Sequence, residues 1–146
     1  MTDLVIEKHF LAPPDLVFDF VTRPERLATW WGPESMHVTE AALDFSQPGP
    51  WHSVIVNAEG RRYKMSGVVT RIDPPRAVEF TWGWHDDADV RGPESRVRID
   101  VAGADGGGTA FRLTHSGLAD EESRANHSMG WTSSLSKLEQ QIQRRN

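Results

Sequence analysis

The chain has no cysteine. That excludes disulfides, zinc–thiolate sites, iron–sulfur clusters and thiol nucleophiles. It has no run near the ~20 apolar residues a membrane-spanning helix needs, and no basic, apolar leader follows Met1. It also lacks an excess of positive charge. Sixteen Lys and Arg face 21 Asp and Glu, for a net charge of −5, so no basic stripe points to nucleic acid or an anionic membrane. There is no phosphate-binding glycine loop, dinucleotide fingerprint, His-Glu-x-x-His or nucleophile elbow. No serine stands in a recognisable triad context, and no two carboxylates share the inward phase of two strands. Tyrosine is nearly absent too: one, against six tryptophans. For 146 residues that is a heavy indole load.

What is present reads as one domain of ordinary globular composition, spanning 1–146. Leu4 to Leu11 reads as a strand, stopped by Ala12-Pro13-Pro14. Pro14 and Asp15 suit the first turn of a short helix reaching Val21, and Pro24 to Ala28 forms a second helical turn. Trp30-Trp31-Gly32-Pro33 is a loop. Strands are then expected at Met36–Leu43, Trp51–Val56, Arg62–Ile72 and Arg76–Trp84, followed by two more centred on Val97–Val101 and Phe111–His115. Gln47-Pro48-Gly49-Pro50, Ala58-Glu59-Gly60, Asp73-Pro74-Pro75 and Asp105–Gly108 read as turns. In the fourth of these strands Val78, Phe80, Trp82 and Trp84 alternate with Ala77, Glu79, Thr81 and Gly83, a period of two with one apolar face. From Asp120, a suitable N-cap, a helix runs to about Arg144, roughly 37 Å at 1.5 Å per residue. Trp131, Leu135, Leu138 and Ile142 form its apolar stripe. So long a one-faced helix calls for a broad partner, and a curved antiparallel sheet supplies it.

The order strand, two short helices, about six strands and a long C-terminal helix resembles the START-like superfamily, also called helix-grip or SRPBCC. Within it the chain is similar to the family named for the activator of the ninety-kilodalton heat-shock protein ATPase. The resemblance rests on Ala12-Pro13-Pro14, Arg23-Pro24-Glu25, Trp30-Trp31-Gly32-Pro33, Gly67-Val68-Val69, Ile72-Asp73-Pro74-Pro75, Phe80-Thr81-Trp82, His115-Ser116-Gly117 and Gly130-Trp131. It implies an α+β helix-grip fold, a curved antiparallel sheet of about seven strands around the C-terminal helix. It also implies a cavity between sheet and helix that takes a small, largely apolar molecule, in a stress-response or self-resistance role. On that reading the ligand-contacting set is Trp31, Met65, Phe80, Trp82, Trp84, His115, His127 and Trp131. No catalytic residue, metal or cofactor is assigned. Two other readings stand beside it: a co-chaperone-like module binding a chaperone or other protein, and an enzyme of cyclase, dehydratase or hydrolase type using an inward histidine. A cytoplasmic location is expected, and family analogy allows a homodimer.

The residues leave several roles open. Trp30 and Trp31 read as loop anchors at the mouth or end of the cavity. His115 falls in phase with Phe111 and Leu113 and so points inward, as core, ligand partner or general base. His127 lies one helical turn before Trp131 and has the same three readings. If both turn inward they meet across the cavity, as an acid–base or metal-binding pair. His9, His37 and His52 are expected at the surface. His85, Asp86, Asp87 and Asp89 are expected to form a solvated loop, since their spacing fits no EF-hand.

Overall fold

A computed structural model describes residues 2–145, with the side chain of Arg145 outside the description along with Met1 and Asn146. Strand β1 (Thr2–Phe10) leads into helices α1 (Pro14–Thr22) and α2 (Pro24–Leu27). Strands β2 (His37–Ala42), β3 (Gly49–Val56), β4 (Arg62–Asp73), β5 (Ala77–Trp84), β6 (Ser95–Gly103) and β7 (Thr109–Leu118) follow, and helix α3 (Glu121–Arg145) ends the chain. All seven strands form one antiparallel sheet in the order β1-β7-β6-β5-β4-β3-β2. It is a meander from β2 to β7, with β1 added beside β7. This is the α+β helix-grip architecture.

Period-two patterning decides which way each strand faces. Val97, Ile99 and Val101 on β6 are buried, as are Phe111, Leu113 and His115 on β7, while their alternating neighbours are half-buried or exposed. The inner faces meet α1 and the C-terminal half of α3, where Leu135, Leu138 and Ile142 are buried. Each such side chain contributes about 1.5–3 kcal/mol by leaving water. An ion pair of Lys8 with Glu139 at 3.4 Å ties the same half of the helix to β1. Asp120 caps α3: its Oδ1 accepts the Ser123 N–H at 2.8 Å.

Two strands run further than their turn signals suggest. β3 begins at Gly49 and takes in Pro50, which pairs with Val68 of β4. Pairing with β2 goes no further than Ala42 and His52, so at Pro50 that side of β3 is an edge and the missing N–H is not needed. β7 continues past His115 to Leu118, because Gly117 adopts φ +78°, a conformation that strains a residue with a Cβ. Leu118 then pairs with Thr2.

Candidate functional site

The N-terminal half of α3 stands off the sheet. Between it, the Trp31-Gly32-Pro33 loop and the inner faces of β3, β4 and β5 lies a half-open groove of about 820 Å³. Four indoles wall it: Trp31, Trp82, Trp84 and Trp131. Met65 lies on its floor, and Tyr63, two residues earlier on the same face of β4, lies beside it. Asp120, Glu122, Ser123 and Asn126 form the rim at the start of α3. The two carboxylates are the only charged groups in the described lining, so the site presents apolar walls and a negative edge.

The indoles are fixed by their N–H groups as well as by packing. Trp31 donates to Ser53 Oγ at 2.9 Å and packs against Trp30, Phe45, Trp51, Trp82 and Trp131 with centroids 5.6–6.1 Å apart. It is both a loop anchor and a wall. Trp30 is a fully buried anchor donating to the Phe20 carbonyl at 2.8 Å, not a guard at the mouth. Trp84, 36% exposed, donates to His127 Nε2 at 2.9 Å, and Trp131 donates to His115 Nδ1 at 3.1 Å. Among the described residues Trp82 Nε1 is the one buried side-chain polar atom with no hydrogen-bond partner. Buried indole N–H groups are ordinarily paired, so this exception marks the wall at its most central ring.

The two histidines do meet, with ring centroids 4.7 Å apart and planes at 73°. Their nitrogens are already engaged. His127 Nδ1 donates to the Ser123 carbonyl at 2.7 Å, which leaves Nε2 as the acceptor for Trp84. His115 Nδ1 accepts from Trp131, so Nε2 carries the proton and donates to Ser95 Oγ at 2.7 Å. Both rings are therefore neutral. Burial pushes the His115 pKa down to about 3, and the neighbouring His127 adds to the effect. Burial lowers His127 as well, partly offset by its bond to Ser123. Neither ring offers a free lone pair to a metal or a substrate proton. Among the described residues no cluster of three His, Cys, Asp or Glu is placed to hold a metal ion.

Of the eight residues the sequence nominates, Trp31, Met65, Trp82, Trp84, His127 and Trp131 line the groove. Phe80 and His115 do not. Phe80 shares the inward phase of Trp82, but Phe45 and Trp51 cover it, with centroids 4.3 and 5.8 Å away. His115 is fully buried behind His127 and Trp131. Tyr63, Met36 and Ile55 line the groove without having been nominated. The phase of Tyr63 with Met65 was the available signal. His9 and His37 are exposed and His52 is half-buried.

A curved seven-stranded sheet gripping a long C-terminal helix, with an aromatic groove between them, defines a START-like helix-grip protein. The family described as Activator of Hsp90 ATPase homolog 1-like protein matches residues 11–143, and the chain belongs to that family. It is similar to the crystal structure of an AHSA1 protein from Silicibacter pomeroyi, at 46% identity and a TM-score of 0.95, covering 99% of this chain and 100% of the other. A protein from Chromobacterium violaceum is 21% identical, with a TM-score of 0.84 over 96% of each chain. An AHSA1-like protein from Aeromonas hydrophila, solved by NMR, is 20% identical with a TM-score of 0.76 over 99% and 94%. These last two share the fold alone. Comparison with curated proteins finds no match. No described helix is long and apolar enough to cross a membrane.

Proposed function

We propose that the chain binds a small, largely apolar, aromatic molecule in the groove between the sheet and α3, and that the ligand is neutral or cationic rather than anionic. The observation that carries this is the lining: four indoles, with carboxylates as the only charges among the described lining residues. Indole faces supply large, rigid apolar contact and attract cations, and they hold nothing that would neutralise an anion. Binding is favoured over acid–base chemistry at this site because both ring nitrogens of His115 and His127 are occupied by protein partners.

The test is tryptophan fluorescence and native mass spectrometry with a panel of neutral, cationic and anionic aromatic compounds, on the wild type and Gly130→Leu. Gly130 lines the groove, and a Cβ there meets nothing closer than Pro33 Cγ at 4.0 Å, so the larger side chain enters the groove without disturbing the backbone. Neutral or cationic members should give saturable quenching, weakened at least tenfold in Gly130→Leu. Binding that Gly130→Leu leaves unchanged would place the ligand elsewhere. A panel without any binder, beside a protein partner captured equally by both forms, would favour the co-chaperone-like reading.

A further inference from the structure

The other face of the sheet carries a second constellation. Met65 and Trp84 pair across β4 and β5 and face the groove, so the adjoining pair, Ser66 and Gly83, faces outward. His85 follows Trp84 and turns to the same outer side. Its Nε2 lies 2.7 Å from Ser66 Oγ. Its Nδ1 lies 2.9 Å from Asp89 Oδ1 and 3.4 Å from the Asp89 carbonyl oxygen. Both neighbours of Nδ1 are acceptors, so Nδ1 holds the proton and Nε2 is free to take one from the serine hydroxyl. The loop is solvated as expected, with Asp86, Asp87 and Asp89 exposed, but His85 is half-buried against the sheet, and serine, histidine and aspartate stand in the order of a nucleophile relay.

Three further features belong to this cluster. Asp89 is held at φ +62°, the one described non-glycine residue with a positive φ. Asp tolerates this left-handed conformation, and the turn closed by the Asp86 N–H on the Val90 carbonyl at 3.0 Å holds Asp89 in it. Lys64 Nζ lies 3.1 Å from Asp89 Oδ1 and keeps that carboxyl below its usual range, hence ionised. Arg91 donates from Nε to Ser66 Oγ at 3.2 Å and from Nη2 to the Ser66 carbonyl at 3.0 Å. It reaches them by lying flat over Gly83, where a Cβ would fall 2.6 Å from the guanidinium carbon. A bare backbone at position 83 therefore makes room for a fixed positive charge beside the serine oxygen.

We propose that Ser66, His85 and Asp89 form an acyl-transfer site on the outer face of the sheet, acting on small carboxylic esters or thioesters. Ser66 Oγ attacks the acyl carbonyl carbon and its proton passes to His85 Nε2. The oxyanion forms beside the Arg91 guanidinium. The carbonyl then re-forms, the bond to the alcohol or thiol breaks, and the leaving group takes the proton from His85. Water repeats the sequence and releases the carboxylic acid. Asp89 is a positioning residue: it fixes the tautomer and ring orientation of His85 and stabilises the imidazolium. This site is independent of the groove and of the ligand proposed for it.

The full chain is incubated with p-nitrophenyl acetate and separately with a fluorophosphonate, and the adduct is mapped by peptide mass spectrometry. Ser66 should be acylated and phosphonylated in preference to the other serines. Ser66→Ala should abolish both adducts. His85→Ala should slow them about 100-fold or more, and Asp89→Asn about tenfold or more, with near-ultraviolet circular dichroism unchanged. A wild-type protein without an adduct at Ser66 overturns the proposal. So does a folded His85→Ala protein that labels at the wild-type rate, since a tether for the loop needs no effect on serine reactivity.

Discussion

His115 and His85 face opposite sides of one sheet, and each binds a serine at 2.7 Å through Nε2. The roles of that nitrogen are opposite. At His115 an indole N–H occupies Nδ1, so Nε2 must be the donor and Ser95 the acceptor. At His85 a carboxylate and a carbonyl occupy Nδ1, so Nε2 is the acceptor and Ser66 the donor. The group on the far nitrogen decides whether a serine–histidine contact is a structural clamp or an activated nucleophile. Burial reinforces the difference. The inner ring is fully enclosed, whereas the His85 side chain keeps 12% of its surface and leans on an aspartate that is 64% exposed.

The largest effect that sharpens this contrast is on stability. His115→Ala should cost about 3–5 kcal/mol, because it opens a cavity in the aromatic cluster, orphans the Trp131 N–H and leaves Ser95 Oγ only its long bond to the Trp82 carbonyl at 3.5 Å. His85→Ala should cost under about 1 kcal/mol, since its partners on the outer face reach water. Urea unfolding of the two variants measures both. Equal losses would erase the distinction between clamp and relay.

A second contrast is with pH. The folded-state pKa of His115 is lowered from an ordinary 6.5 to about 3, so the unfolded chain takes up a proton that the folded chain refuses. The stability is fully present above pH 6.5 and is lost as pH falls from there towards 3. Between pH 7 and pH 5 the loss from His115 alone should be about 2 kcal/mol, with His127 adding to it. Urea midpoints at the two pH values test this. The same drop should persist in His85→Ala. A midpoint independent of pH would mean that the inner rings are not neutral clamps.

The sequence made the sheet and the long helix legible, because period two and period 3.6 report which side of an element meets the core. Trp82 and Trp84 followed from alternation on β5, and His127 with Trp131 from one turn of α3. Depth was not legible. Phe80 and Trp82 share a phase, yet only Trp82 reaches the groove, because Phe45 arrives from a distant loop to cover Phe80. His115 has the right phase and lies one layer behind the wall. The outer relay was invisible for another reason: Ser66 meets His85 only once the register of β4 on β5 places Ser66 opposite Gly83. A strand pattern does not specify which residue of its neighbour lies alongside.

The smallest effect is the most pointed, because it asks whether one hydrogen bond can move an inner histidine towards the outer kind. Trp84 is the most exposed of the four indoles, and its N–H holds His127 Nε2 at 2.9 Å. Trp84→Phe keeps an aromatic ring at the mouth of the groove and removes only the donor. A donor on the lone pair stabilises neutral imidazole, so its loss should raise the His127 pKa towards the ordinary histidine range while stability falls by about 1 kcal/mol. His115 keeps Trp131 and Ser95 and should not move. Nitrogen-15 chemical shifts of the two imidazoles across a pH titration distinguish the cases. A rise at His127 alone would show that the indole N–H groups hold the inner pair neutral one ring at a time. No change at either would leave burial as the sole cause, and the far-nitrogen partner would then lose its deciding role on the inner face.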